Sequence, residues 1–107
     1  MGLFKKNYTD ISSAQLNEFL QTKNNYQFLD VRTKNEYLSK KIKGFNRNLD
    51  FYKFARNQAM LNQVRKDKPV VVVCQTGSRS KATCKLLFRL GHTDIYNVKG
   101  GIIRYKK

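Results

Sequence analysis

The clearest indication of the fold of this 107-residue chain is the segment Pro69-Val70-Val71-Val72-Val73-Cys74-Gln75-Thr76-Gly77-Ser78-Arg79-Ser80. Four consecutive valines are β-branched and apolar, which predicts a strand buried on both faces, as in the centre of a parallel sheet. The run that follows, from Lys81 to Leu90, predicts a helix whose apolar face carries Ala82, Leu86, Leu87 and Leu90. The pattern is strand, tight loop and helix, with a thiol where the strand ends. In open α/β sheets, ligands bind at that edge.

The rest of the chain alternates helices with strands. Ser12 with Gln15, and Thr33 with Glu36, have the spacing of capping boxes that begin helices. Alternation of this kind predicts one three-layer α/β domain over residues 1–107, with a central parallel sheet and right-handed crossovers. We predict helices from Ser12 to about Lys23, from about Lys34 to Lys40 and from roughly Phe51 to Arg65 with a break near Asn57, and strands over Tyr26–Val31, Asn46–Leu49 and Ile95–Val98.

Three shorter features complete the predicted fold. Residues 1–10 are polar and basic, which indicates a lead-in without regular structure. Gly91 is placed to end the long helix in a left-handed cap. Gly100-Gly101 predicts a turn after the last strand.

Composition limits the classes of partner and compartment. With 22 Lys and Arg against 7 Asp and Glu, the formal net charge of +15 favours anionic partners or substrates. Two cysteines, Cys74 and Cys84, are too few for a disulfide framework, so we expect a reducing compartment, the cytoplasm. No apolar run approaches the roughly 20 residues of a membrane span, so we expect no membrane partner. The single histidine, His92, is interpreted as a loop residue without metal partners, and we expect neither a metal nor a cofactor.

The loop after Cys74 contains the residues that stabilise a thiolate. A helix N-terminus and a neighbouring arginine both favour the thiolate over the thiol. If the loop curls its backbone N–H groups inward, it forms an anion nest around the sulfur, and Gly77 tolerates the positive φ of such a curl. Arg79 can hold the loop or bind an anionic substrate through its fork, and Ser80 can hydrogen-bond the sulfur or cap the helix. The sequence therefore predicts a nucleophilic Cys74 in a positively charged cradle.

The segment from Cys74 to Ser80 resembles the active-site loop of the rhodanese-like sulfurtransferases. Further segments, in that family's order and spacing, are similar to its other signatures: Phe28-Leu29-Asp30-Val31-Arg32 with Glu36-Tyr37, Ile42 with Gly44, and Tyr96-Asn97-Val98-Lys99-Gly100-Gly101-Ile102. The resemblance covers most of residues 9–105 and implies a rhodanese-like three-layer α/β/α fold with a central parallel sheet.

The resemblance also implies a reaction. Cys74 would attack the outer sulfur of thiosulfate or of a protein persulfide, hold that sulfur as a persulfide, and pass it to cyanide or to a thiol such as thioredoxin or glutathione. Gln75 stands where many thiosulfate-using members have a basic residue, so recognition of a doubly charged donor depends more on Arg79 and the loop amides. The implied substrate-binding residues are Gln75, Thr76, Gly77, Ser78, Arg79 and Ser80.

The resemblance gives Asp30, Arg32 and Glu36 a structural role, in which they support the loop and the strand ends. We interpret Glu36 as a partner of Arg32. Cys84 is expected to pack rather than to resolve a disulfide, on a side of its helix near Phe88 and away from the predicted apolar face.

Three other functions compete with sulfur transfer. Some rhodanese-like domains are binding or regulatory modules without catalysis, but these usually lack the cysteine. Related cysteine phosphatases and arsenate reductases place five residues between cysteine and arginine, whereas only Gln75 to Ser78 intervene here. Despite the basic charge, the chain has no interleaved aromatic and basic motif of a nucleic-acid module, so we expect no nucleic-acid partner.

Overall fold

The computed structural model describes residues 7–107, in which strands and helices alternate as predicted. The strands are β1 (Thr9–Ile11), β2 (Gln27–Asp30), β3 (Arg47–Asn48), β4 (Val70–Val73) and β5 (Ile95–Val98). The helices are α1 (Ser13–Gln21), α2 (Lys34–Ser39), α3 (Phe51–Phe54), α4 (Gln58–Leu61), α5 (Ser78–Arg89) and α6 (Gly101–Arg104), with a 3-10 turn at Lys23–Asn25.

The strands form one parallel sheet in the order β1-β5-β4-β2-β3. After β2, the chain therefore adds β3 at one edge of the sheet. It then crosses back to place β4 on the other side of β2, and β5 next to β4. Such a change of direction opens a crevice at the carboxyl ends of the two strands between which it occurs, here β2 and β4. Because Asp30 is paired in register with Val73, the residues that follow the two strands emerge side by side.

Strand β4 supplies both hydrophobic cores, which confirms the prediction from the four valines. Val70 and Val72 pack into one core with residues of α3 and α5, and Val71 and Val73 pack into the other with Leu16 of α1. All four valines are completely buried. Successive side chains of a strand point to opposite faces, so only an apolar strand can serve both sides of a three-layer domain.

Helices α1 and α2 begin at the two capping boxes predicted from the sequence. Ser12 Oγ accepts a hydrogen bond from the Gln15 N–H at 3.2 Å, and Gln15 Oε1 accepts one from the Ser12 N–H at 2.9 Å. Thr33 and Glu36 exchange the same pair of hydrogen bonds at the start of α2. These contacts satisfy N–H groups that lack partners inside a helix, so the start is specified within four residues of sequence.

Two predictions about extended and helical segments need correction. Residues 1–10 are not all a lead-in, because Thr9–Ile11 forms the edge strand β1 and pairs with β5, while residues 1–6 lie outside the described residues. The helix predicted from Phe51 to Arg65 consists of α3 and α4. The predicted break near Asn57 is confirmed, since the Asn57 side chain accepts from the Met60 N–H at 3.0 Å and caps α4, but helical structure ends at Leu61.

The buried face of α5 also differs from the prediction. Its buried residues are Ser80, Thr83, Cys84 and Leu87, whereas Ala82 is exposed. Leu87 is buried and Leu86 packs against the core, as predicted, but the buried face also includes small and polar side chains that apolar character alone does not indicate. Cys84 therefore packs in the core, as expected, but together with Leu87 and not beside Phe88, which is 42% exposed.

Two smaller predictions, the loop position of His92 and the turn at Gly100-Gly101, are confirmed, and the structure adds a detail to each. His92 is buried, with 3% of its surface exposed, and its N–H donates to the Leu87 carbonyl at 3.0 Å. Burial lowers the pKa of this imidazole. Gly100 and Gly101 do form a turn of positive φ, but the chain continues from Gly101 as the one-turn helix α6.

Candidate active site

The loop after β4 wraps around the sulfur of Cys74. The Gly77 N–H donates to Cys74 Sγ at 3.0 Å, and Sγ donates to Ser80 Oγ at 3.4 Å. The Ser80 hydroxyl donates in turn to the Gly77 carbonyl at 3.0 Å. Gly77 has φ +110° and is the N-cap of α5, so the loop's positive-φ residue also begins the helix. The sulfur thus lies at the N-terminus of a helix of 12 residues, where amide dipoles favour negative charge.

The outer side of this loop is held by α6. The Ile102 N–H donates to the Cys74 carbonyl at 2.9 Å, and the Ile103 N–H donates to the Gln75 carbonyl at 3.1 Å. Gly101 lies so close that a Cβ built there would be 2.4 Å from the Gln75 oxygen. These bonds fix two loop carbonyls against α6. The role of Gly101, Ile102 and Ile103 was not predicted, because a double glycine indicates a close approach without indicating what is approached.

Arg32 joins the loop to the end of β2. Its guanidinium donates to both Asp30 carboxylate oxygens at 2.9 to 3.2 Å, and both side chains are buried. The same guanidinium donates to Gln75 Oε1 at 3.3 Å and to the carbonyls of Glu36 and Lys40. Asp30 and Arg32 therefore support the strand end and the first residue of the loop. A planar fork with five donors suits this arrangement because it bonds several acceptors at once.

Glu36 pairs with Arg79 and not with Arg32, which corrects the earlier interpretation. Arg79 Nη1 and Nη2 donate to the two Glu36 carboxylate oxygens at 2.8 and 3.0 Å. Arg32 contacts only the backbone carbonyl of Glu36. The hydrogen bonds from Arg79 lower the pKa of Glu36 to about 2. The bidentate pair ties α2 to the first turn of α5, so Arg79 holds the loop in this structure.

The remaining loop residues face outward. Thr76 and Ser78 are exposed, and Gln75 is half-buried beside a cavity of about 540 Å³. Of the predicted loop residues, the structure brings Gly77 and Ser80 into contact with the Cys74 sulfur, and it places the three support residues next to the loop. Their roles toward a substrate stay predictions. The cavity is lined by Arg32, Glu36, Ser39, Lys40, Gln75, Ile102, Ile103 and Tyr105.

Among residues 7–107, no three His, Cys, Asp or Glu side chains are grouped as metal ligands. Within that range no helix has the length and apolar character to cross a membrane. Cys74 and Cys84 are both free thiols.

Comparisons with known proteins show which family this chain resembles in sequence and in fold. Residues 12–107 match the family model described as Rhodanese-like domain. An uncharacterised protein of Bacillus subtilis, YqhL, is 37% identical over 79 residues, which are 74% of this chain and 60% of that protein. A rhodanese-related protein from Thermoplasma volcanium has a solved structure with a TM-score of 0.74 and 30% identity, covering 89% of this chain and 87% of that one.

Two further relatives have named activities. A sulfurtransferase of Allochromatium vinosum is 34% identical over 47 residues, and the match covers 44% of each protein. A tRNA uridine(34) hydroxylase of Rickettsia akari is 28% identical over 94% of this chain, which spans 38% of that longer protein. The chain therefore spans well under two thirds of the length of these curated relatives.

Proposed function

The chain belongs to the rhodanese-like domain family, and from that premise we propose that it is a sulfurtransferase that carries sulfur as a persulfide on Cys74. One observation carries the proposal: the Gly77 N–H donates to Cys74 Sγ at 3.0 Å where α5 begins. An amide donor at a helix N-terminus stabilises a sulfur anion. The same donor supports the terminal anion of a persulfide, because that charge develops within the same loop.

The proposed reaction has two displacement steps. The Cys74 thiolate attacks the sulfane sulfur of the donor, an S–S bond forms on Cys74, and the donor leaves as sulfite from thiosulfate or as a thiolate from a persulfide. An acceptor thiolate then attacks the outer sulfur of the Cys74 persulfide. The acceptor leaves as a persulfide and the Cys74 thiolate is regenerated, so no oxidant or reductant is consumed.

The contacts of Arg79 and Gln75 favour a persulfide donor over thiosulfate. Arg79 is engaged in a bidentate pair with Glu36, and the Gln75 side chain is bonded to Arg32. Thiosulfate carries two negative charges and therefore needs a cation or several donors at the loop. With Arg79 engaged, only neutral groups of the loop remain for that purpose. We expect a persulfide to load Cys74 faster than thiosulfate does.

The same contacts argue against phosphoryl transfer. A phosphatase of this type needs its arginine to bind the phosphate oxygens, but the Arg79 guanidinium is bound to Glu36. The proposed acceptors are small or protein thiols of the glutathione or thioredoxin kind. We also propose that the protein works in the cytoplasm, because two free thiols are compatible with a reducing compartment.

Intact-mass spectrometry tests the proposal. The wild type, Cys74→Ser and Cys84→Ala are incubated with thiosulfate and, separately, with glutathione persulfide, and each sample is then treated with cyanide. We expect the wild type and Cys84→Ala to gain one sulfur atom that cyanide removes, and Cys74→Ser to gain none. No adduct from either donor would refute the proposal and favour a binding module. Burial raises the pKa of the Cys84 thiol, so Cys84 is a suitable control.

A further inference from the structure

A groove next to the candidate active site has a basic rim and an apolar floor. It lies between the end of α1, the connection from α2 to β3 and the segment that includes α6, and its volume is about 820 Å³. We call it the lysine-rimmed groove. Its floor contains Leu20, Ile42, Ile102 and Tyr105, and its rim contains Lys23, Lys40, Lys41, Lys43 and Lys107.

The rim carries charge of one sign. All five lysines are exposed, and no Asp or Glu is among the described residues that line the groove. Within residues 7–107 the structure pairs none of them with a carboxylate. Charges of one sign around a groove raise the local concentration of ions of the opposite sign. The groove is therefore complementary in charge to an acidic partner.

The apolar floor of the groove favours acidic partners that also carry apolar side chains. Ile42 and Ile102 are 5% and 8% exposed and belong to the core, while Leu20 and Tyr105 are half-buried beside them. A concave apolar floor binds bulky apolar side chains. Single-stranded nucleic acid binds instead by stacking successive bases on aromatic rings. Among the described residues that line the groove, Tyr105 supplies the one aromatic ring, and its hydroxyl is hydrogen-bonded to Asn17.

The groove is continuous with the candidate active site. Lys40, Ile102 and Tyr105 line both the groove and the cavity beside Gln75. The Ile102 N–H also bonds the Cys74 carbonyl. A chain lying in the groove therefore extends toward the loop that surrounds the sulfur.

We propose that the lysine-rimmed groove docks an acidic segment with apolar side chains, supplied by the protein that exchanges sulfur with Cys74. This partner assignment rests on the proposed sulfurtransferase function. The lysines attract the segment, the floor binds its apolar side chains, and the shared wall directs its thiol or persulfide to Cys74. The apolar contacts distinguish this partner from any other polyanion.

Fluorescence anisotropy tests the docking directly. The probes are a labelled peptide in which Glu alternates with Leu and Phe, a matched peptide with Ser in place of Leu and Phe, and a single-stranded RNA of equal length. At about 0.15 M salt, where long-range attraction between exposed charges is screened, we expect the Leu and Phe peptide to bind at least about tenfold more tightly than the other two.

Charge-reversal variants locate the binding. The double variant Lys23→Glu/Lys43→Glu changes the rim, and Lys53→Glu/Lys85→Glu makes the same change at exposed positions of α3 and α5, which pack on the opposite face of the sheet. We expect the rim variant to bind the Leu and Phe peptide about tenfold more weakly or worse than the wild type, and the control variant to bind it less than about twofold more weakly. Equal weakening by both variants would overturn the proposal. So would equal binding of the Ser peptide, or RNA binding that exceeds peptide binding.

A transfer assay separates this proposal from the proposed function. Cys74 is loaded with sulfur, and transfer is followed to the acidic apolar peptide carrying one cysteine and to a neutral peptide carrying one cysteine. We expect faster transfer to the acidic peptide by about tenfold, with the preference lost in the rim variant. Equal transfer to both peptides would refute docking in the lysine-rimmed groove but would not contradict the sulfurtransferase function. If Cys74 accepts no sulfur from any donor, the sulfurtransferase function and the partner assignment both fail.

Discussion

The close approach of Gly101 to the Cys74 loop predicts a large effect of Gly101→Ala. Gly101 has φ +68°, and an added Cβ would be 2.4 Å from the Gln75 oxygen and 2.7 Å from the Cys74 oxygen. These neighbours are backbone atoms of the loop, so they cannot rotate away as a side chain would. Either α6 or the loop must shift, and the two hydrogen bonds from α6 to the loop carbonyls are then weakened.

The magnitude follows from three contributions. A non-glycine residue in the left-handed region costs about 1 to 2 kcal/mol, and overpacking of a tight site costs about 1 to 3 kcal/mol. Each weakened hydrogen bond removes up to about 1 kcal/mol. We therefore expect Gly101→Ala to lower the free energy of unfolding by about 2 to 7 kcal/mol, a large part of the roughly 5 to 15 kcal/mol of a domain.

Gly91→Ala is the matched control. Gly91 also has positive φ, +103°, but a Cβ there meets only the flexible Lys66 side chain, at 3.6 Å or more. We expect Gly91→Ala to lower the free energy of unfolding only by the conformational contribution, about 1 to 2 kcal/mol, because no backbone is displaced. Urea unfolding gives both free energies, and intact-mass kinetics give the rate of sulfur loading on Cys74.

The two assays together test whether α6 positions the loop. We expect the loading rate to fall by about tenfold or more in Gly101→Ala and to stay within about twofold of the wild type in Gly91→Ala. If both variants lose the same free energy of unfolding and load sulfur at the wild-type rate, the argument that Gly101 is required by the close approach to the loop is wrong.

Two further predictions concern charged residues that support the loop. Because the pKa of Glu36 is lowered from 4.5 to about 2 in the folded chain, its pairing stabilises the fold above about pH 4.5 and is lost as pH falls toward 2. Glu36 is 33% exposed, so the linked free energy is reduced to about 1 to 2 kcal/mol. In urea unfolding, Glu36→Gln is expected to lose that amount near neutral pH and little of it at pH 2, where about half of the folded-state carboxyl is protonated. An equal loss at both pH values would contradict this. Arg32→Lys is expected to lower the free energy of unfolding by about 2 to 4 kcal/mol, since an ammonium cannot reproduce the buried fork, and a loss below about 1 kcal/mol would show that the fork is not needed.

The sequence predicted some contacts of the candidate site correctly and others incorrectly. Cys74 and Gly77 were identified with their geometry, because a buried strand followed by a glycine-containing loop and a helix is a local pattern. The partner of Glu36 was predicted incorrectly. Arg32 is four residues from Glu36 and Arg79 is 43 residues away, and sequence distance favours the nearer cation. In the fold, the buried Asp30 already engages Arg32, so Glu36 pairs with the arginine that α5 brings to it.

The features of this protein that have a local cause follow from the amino-acid sequence. Four adjacent valines require apolar surroundings on both faces, which is enough to specify a central parallel strand and three layers. Capping side chains within four residues of each other specify where α1 and α2 begin. Both effects depend on neighbours along the chain and are therefore present before the chain folds.

The contacts between segments that are distant in sequence depend on how the sheet assembles. Thr9–Ile11 became a strand because β5 offers it an edge to pair with, and the Cys74 loop acquired its outer support because α6 returns to it from the far end of the chain. Many such pairings are compatible with the same local pattern. The choice among them depends on backbone hydrogen bonds and close packing that exist only once the sheet has formed.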